Sequence, residues 1–573
     1  MVKRFVHLSP RFVMLSCAVV ALVVASVFAV SAGITHASPK TSSASIATHA
    51  SRGQLVKVQT VNVSQLGHVA ASTAGSAQPR VAPLRPRPIT GPHTSLVRQP
   101  PTVAAGPLAK AGSLLANFDG VNEIQNSAAS NTPLEPPDEG LAAGNGYVLN
   151  VVNVTGAIYN AHGVTLAGPF ALYALFGESP TANLSDPRAF YDNSTHTWFA
   201  NLFEYGGNNN TESHIDLAVN TGNPVTGTWT IYRIDTTEPQ DANCPCFPDY
   251  TIFGIDQYNV YLSGNEFSLS NSVFNGAEVF AISKAQLVAG ASSVNFVRFG
   301  ELSMAGAPAY HVQPAISYSS PAAEYFLSSL DPNSTFDNRL GLWAMTNRQS
   351  VTTGVGMPVL SSVILSSEAY GFPVNVPTPP GYNTFLAAPT TGIVTPDFDA
   401  MQEVEYIHGT LVGALNTSVT IPGDTSTRDG IAWFQVAPQL SGQVVSSASK
   451  VKHQGYIAVQ GEYLLYPHIN QVADGNMVVT FSIGGPSTYL SAAYAVKSAS
   501  AKNFGVVQVA GAGTGPDNGF TMTAAFGGVG RWGDYSNGEI DYATNQVWLA
   551  TQYIPNSGDV FANWGNRIFE VQL

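Results

Sequence analysis

No aspartate or glutamate occurs from Met1 to Gly112, although that stretch holds 11 basic residues: Lys3, Arg4, Arg11, Lys40, Arg52, Lys57, Arg80, Arg85, Arg87, Arg98 and Lys110. From Ser113 to Leu573 the balance reverses, with the remaining 13 Lys and Arg facing all 37 acids for a net charge of −24. Such a body excludes nucleic acid as a partner, because phosphate binding needs a basic face. Charge of either sign is scarce, at 11% of residues, against roughly 25% in ordinary soluble domains. Cysteine is scarcer still. Cys17 sits in the first apolar run, which leaves Cys244 and Cys246, so no disulfide framework holds the fold. Cys244-Pro245-Cys246 reads first as two unpaired thiols in a loop, with a small ring or a metal half-site as the other readings. The body also lacks a sustained helical period.

The arm explains where the basic residues are. Lys3, Arg4 and Arg11 precede an apolar run from Phe12 to Val30, followed by small-residue sites ending at Ala32 and Ala37. This pattern predicts a signal peptide over residues 1–37. The run of 19 residues also reaches the length of a bilayer span, so an uncleaved anchor is the alternative. Residues 38–112 are rich in Ser, Ala, Thr and Pro and read as a disordered basic spacer. A secreted or cell-surface protein is expected, touching membrane only through residues 1–37 if they are retained.

In the body, residues 113–573, short runs of β-branched and aromatic residues recur between Gly, Asn, Asp and Pro clusters, which predicts an all-β fold. Aligning the runs exposes a repeat: a polar or Pro anchor, a short strand, a turn, then an aromatic or aliphatic strand ending in a polar residue. Asp186-Pro187-Arg188 leading to Trp198-Phe199 and Glu204 is one copy; Asp249-Tyr250-Thr251 leading to Tyr261 and Glu266 is the next. Anchors fall at 138, 187, 251, 314, 401, 467 and 536. Seven four-stranded blades of a β-propeller fit this spacing, with six or eight as the neighbouring counts. Only the stretch 536–573 follows the last anchor, so residues 113–124 are expected to supply a strand that closes the ring.

Pro136-Pro137-Asp138-Glu139, Asp186-Pro187 with Trp198-Phe199, and Arg531-Trp532-Gly533-Asp534-Tyr535-Ser536 resemble a family of secreted bacterial β-propeller proteins of sialidase-like or YVTN-like architecture. The resemblance covers roughly Phe118 to the C-terminus and implies export and a propeller, but no catalytic residues. Thr251 departs from the Asp-Tyr-Pro string of that pattern. A sialidase is disfavoured, because the Ser-x-Asp-x-Gly-x-x-Trp box is absent and Asn223-Pro224 to Trp229 only echoes it.

Propeller geometry brings anchors and strand ends to one face, where ligands usually bind. Asp186, Arg188, Asp249, Asp331, Arg531 and Asp534 are therefore the candidate ligand-binding residues, with Asp138, His311, Gln313 and His468 among the anchors and Asn153, Asn416 and Gln552 among the strand ends. Converging carboxylates would raise one another's pKa unless Arg188, Arg531 or a hard cation offsets them, and calcium suits carboxylate and amide oxygens. Asp331, Asn333 and Asp337 have the alternating-oxygen spacing of half a calcium loop, although Leu342 stands where a bidentate Glu would close it, so an Asx-rich turn is the simpler reading. For hydrolysis, Glu204 and Glu266 are the candidate acid and base; for a lyase, Tyr250 or Tyr535 beside an Arg. Tyr205, Phe267 and Tyr553, just past strand ends, are candidates for stacking on a sugar. The expected function is a monomeric exported propeller that binds a glycan or cell-wall polymer on one polar face. A glycoside hydrolase or polysaccharide lyase and a structural or adhesion protein are the alternatives.

Overall fold

The computed structural model describes residues 44–66, 79–82, 99–110, 114–207, 211–330, 336–542, 544–555 and 561–573. Met1–Thr41 and Ser42–Leu573 form separate units, and every described residue belongs to the second. The signal or anchor segment 1–37 lies outside the described residues.

The chain is all-β, with 57% of residues in strands and 7% in helices. Seven antiparallel meanders of four strands follow one another. The first runs from Gly140–Gly144 to Thr165–Ala171, the second from Leu184–Asp192 to Thr228–Asp235, and the third from Cys246–Ile255 to Ser293–Met304. The fourth runs from Gln313–Ser317 to Val359–Gly371, the fifth from Val404–Ile407 to Lys450–Ile457, and the sixth from Tyr463–Gln471 to Val507–Gly511. Asn537–Asp541 opens the seventh, whose third strand, Gly565–Gln572, pairs with Ala116–Asn122 in the place of a fourth. That is the expected pairing of the start of the body with its end. Every anchor read from the repeat lies in or within three residues of the first strand of a meander.

The apolar cores lie between meanders, because each sheet buries both faces against its neighbours. One cluster joins the first and second meanders through Leu149, Ile158, Trp198 and Ala200; another joins the second and third through Phe199, Phe203, Phe253 and Leu262. The sequence of clusters returns to its start: Leu141 and Val148 of the first meander share a core with Trp548 and Ile568 of the seventh. Neighbouring first strands lie parallel, with Ile255 beside Ile316 and Ala315–Ser317 beside Val404–Tyr406. All first strands that touch this way therefore start at one end and finish at the other. Trp198, Tyr261, Tyr325 and Trp548, expected to pack between repeats, are all buried there.

Two expectations are corrected. Residues 38–112 are not a disordered spacer where they are described: Ala50–Asn62 is a strand that pairs antiparallel with both Thr228–Asp235 and Ser293–Met304. Ser45–Ile46 pairs with the last strand of the fourth meander and Leu108–Lys110 with that of the sixth. The physical reason is that outermost strands carry unpaired N–H and C=O rows, and the arm satisfies them. Cys244 and Cys246 are not free thiols but a disulfide, which removes both as metal-binding thiolates.

Candidate functional site

The first strands enter the molecule through a repeated kink. Asp138, Asp186, Tyr250, His311 and Tyr466 adopt φ of +46°, +52°, +59°, +45° and +54° at or just before those strands. A non-glycine residue pays for this left-handed backbone, so it persists only where neighbours hold it. Here the ends of the second strands do so. Asn153 Oδ1 accepts the Asp186 N–H at 2.8 Å, Asn265 Oδ1 that of His311 at 3.0 Å, and Asn416 Oδ1 that of Tyr466 at 2.8 Å. Asp186 Oδ2 accepts the Tyr250 N–H at 2.9 Å. The register shift that follows, between Ser185 and Arg188 for example, is a bulge that re-aims the side chains.

The kinks and the seventh anchor bring three carboxylates together. One oxygen each of Asp138, Asp186 and Asp534 lies within 4.8 Å of the others. Asn153 Nδ2 donates to Asp138 Oδ2 at 2.6 Å, and Ser185 Oγ donates to Asp186 Oδ1 at 3.0 Å. Asp138 is fully buried, yet its Oδ1 has no hydrogen-bond partner among the described residues. Burial and then the charges of Asp534 and Asp186 hold the Asp138 carboxyl well above the ordinary range. Burial and Asp534 raise Asp186 to about 6. Arg188 acts on Asp186 from one side, and Arg531 is the other nearby cation, but Asp397 takes its guanidinium at 2.7 and 2.8 Å, with Asp534 at 3.0 Å. Above the cluster is an opening of about 20 Å³ lined by Asp186, Asp249, Arg531, Asp534, half-buried Tyr205 and Phe398. That is room for a water or a single ion.

Four of the six residues expected to bind ligand, Asp186, Asp249, Arg531 and Asp534, thus line one opening. Arg188 does not. Its guanidinium is buried 3.2 Å from the Tyr535 ring centroid and 5.5 Å from that of Tyr250, and its Nε donates to Thr251 O at 3.3 Å. Asp331 and Asn333 lie outside the described residues. Asp337 forms a two-pronged pair with Arg339 at 2.6 and 2.9 Å, which occupies the carboxylate expected to bind calcium there.

Of the expected catalytic groups, Tyr250 lines the opening, and each of the four is held by partners within the fold. Glu204 faces His214 at 3.7 Å, whereas Glu266 is buried against Arg298 and accepts from Asn275 at 2.7 Å. Tyr250 donates its one hydroxyl proton towards Asp534 O at 2.8 Å, with Gln402 Oε1 also at 3.0 Å, and Tyr535 donates to Pro187 O at 3.2 Å. Burial pushes both phenols well above their usual range despite Arg188, so both stay protonated and neither offers a phenolate base. Phe267 and Tyr553 are buried, leaving half-buried Tyr205 as the accessible aromatic of that set.

Asp397 and Phe398 were not legible in the repeat, whereas Gln402 stands one residue after the anchor at 401. They belong to the insertion between the fourth and fifth meanders, whose Ile393–Thr395 runs parallel to Gly530–Arg531. Phe398 packs on Tyr310 and His311, at 5.6 and 5.4 Å between centroids, and so covers part of the end where the first strands start. The string Pro396-Asp397-Phe398-Asp399, with its turn chemistry, was the available signal.

No protein-family model matches the chain, and no curated protein matches it. Among solved structures it is similar to a GH43 endo-arabinanase from Bacillus licheniformis, at 10% identity over 60% of this chain and 88% of that one, with a TM-score of 0.26. An exo-β-1,3-galactanase from Clostridium thermocellum matches at 8% identity over 80% and 100%, with a TM-score of 0.29. Drosophila Plexin A in complex with Semaphorin 1b matches at 9% identity over 80% and 87%, also with a TM-score of 0.29. Superpositions this loose set no limit on function.

Proposed function

We propose that this chain is an exported seven-bladed β-propeller that binds an extracellular glycan or cell-wall polymer at one polar face, organised by a calcium ion on Asp138, Asp186 and Asp534. The observation that carries this reading is the meeting of three carboxylates from separate meanders within 4.8 Å, with Asp138 Oδ1 unpartnered. Calcium holds oxygen ligands at 2.3–2.6 Å, so two oxygens on one ion lie at most about 5.2 Å apart. The cluster satisfies that limit, and a divalent cation would offset the repulsion that now raises Asp138 and Asp186. Tyr205 and Asp249 at the rim then offer a stacking surface and an acceptor for sugar hydroxyls.

A hydrolase is the weaker reading. Retaining glycosidases separate their carboxyl groups by about 5–5.5 Å and inverting ones by about 6.5–9.5 Å, across a substrate. The three acids turn oxygens towards one another within 4.8 Å, and Asp138 is buried beyond the reach of a substrate.

The test is retention of the purified chain on a panel of polysaccharides, with calcium and with EDTA, while the supernatant is assayed for reducing ends and unsaturated sugars. Retention that calcium strengthens over EDTA, without product, supports the reading. Released sugar, or retention on none of the panel, would refute it.

A further inference from the structure

The first strands of the second, third, fourth and seventh meanders, two of which carry Asp186 and Asp534 at or before their starts, finish around a second cavity. Its walls are the turns that follow those strands: Asp192 to Ser194 after the second meander's, Asp256 and Gln257 after the third's, Ser317 to Ser320 in the fourth, and Tyr542 in the seventh. The cavity has a volume of about 310 Å³, within the range of small-molecule sites, whereas the opening over the acids has room for only a water or one ion.

Three features of its lining specify a ligand. The rings of Tyr318 and Tyr542 lie nearly parallel, 11° apart with centroids at 6.1 Å, and Tyr542 is 38% exposed. Tyr318 is fixed from below by the Ile540 N–H, which donates to its hydroxyl at 3.2 Å, and by Phe190 at 6.2 Å. Such a surface suits the apolar C–H face of a ring. Second, the formal charges in the walls cancel: Lys284 pairs with Asp192 at 2.9 Å, and Arg348 pairs with Asp256. A charged ligand finds no uncompensated partner, so charge selects against it. Third, Asn193, Gln257 and Ser320 line the cavity, and their side chains make no hydrogen bond to the described residues. They are donors and acceptors still to be used.

We infer that this cavity is a binding site for one ring of a neutral saccharide, stacked on the Tyr318 and Tyr542 pair with its hydroxyls bonded to Asn193, Gln257 and Ser320. The site stands apart from the proposed calcium site, at the other end of the same strands, and needs no metal.

Calorimetric titration of the full chain with neutral hexasaccharides of the cello, xylo, manno and arabino series tests it, with hexagalacturonate as the charged comparison and EDTA in every cell. The expected result is saturable binding of at least one neutral hexasaccharide. Tyr542→Ala then weakens binding at least tenfold, Tyr542→Phe keeps it, and Asn193→Ala weakens it while leaving the melting temperature unchanged. Since EDTA strips the other end, binding here survives even if the calcium-dependent reading fails. No binding by any neutral hexasaccharide, tighter binding of hexagalacturonate, or unchanged affinity in both Tyr542→Ala and Asn193→Ala would overturn the inference.

Discussion

Asn153 shows how a single amide sets the geometry of the acid cluster. Its Nδ2 holds Asp138 Oδ2 at 2.6 Å and Pro136 O at 2.8 Å, while its Oδ1 holds the N–H of left-handed Asp186. Truncation leaves a buried N–H and a buried carboxylate oxygen without partners, so Asn153→Ala should cost about 2–4 kcal/mol in denaturant unfolding. Asp424 is a case at the surface rim. It clamps Arg428 at 2.8 and 2.9 Å and accepts the N–H of Gly461 and Ser426, and these bonds, chiefly that to Arg428, hold its carboxyl well below the ordinary range. A depressed acid contributes stability above its unfolded pKa and loses it as pH falls through the folded one. Asp424→Asn should therefore lower stability by about 1 kcal/mol at pH 7, and the difference from the wild type should shrink steadily below pH 4. At this scale the sequence was informative where the repeat applied. Asp186, Asp249 and Asp534 could be found because each stands one or two residues before its anchor. Arg188 stands one residue after its anchor, yet it is turned inward by its stacking on Tyr535, which no alignment of anchors could show.

Among the elements, closure and strapping matter most. Ala116–Asn122 covers the edge of Gly565–Gln572 and places Val121 in the core shared by the first and seventh meanders. Removing residues 113–124 exposes that strand edge and opens that core, so the melting temperature should fall by several degrees and aggregation should rise; unchanged melting would contradict the pairing. The closing strand was legible because the last anchor left too little chain for a full repeat. Ala50–Asn62 was harder to read. Only Leu55 of that strand is fully buried, and Val56 and Val58 are exposed, so neither face carries the apolar alternation of a core strand. What makes it a strand is two partner edges supplied by distant segments, Thr228–Asp235 and Ser293–Met304. Local composition, rich in Pro and Ser on either side, pointed towards disorder.

Over the whole molecule, the net charge of −24 from Ser113 onward becomes a set of buried acids. Burial raises Glu139, Glu324, Glu405, Asp429 and Glu539 well above their usual range, and Glu278 to about 8 in spite of Arg298. Acids raised in this way keep their protons in the folded state after the unfolded chain has lost them. Stability is then fully present below their unfolded pKa and declines as pH rises towards the folded values. Thermal unfolding followed from pH 5 to pH 9 should show a falling melting temperature; a rise over that range would contradict the burial of these groups in acid form. The proposed division of labour between the two ends of the first strands also belongs to this scale. Its centre is the claim that Asp138, Asp186 and Asp534 hold a calcium ion. Titrating calcium into EDTA-stripped, desalted chain by calorimetry tests that claim most directly. The prediction is saturable binding of one ion per chain that Asp138→Asn abolishes; no saturable heat in the wild type, or equal binding by the variant, would contradict it.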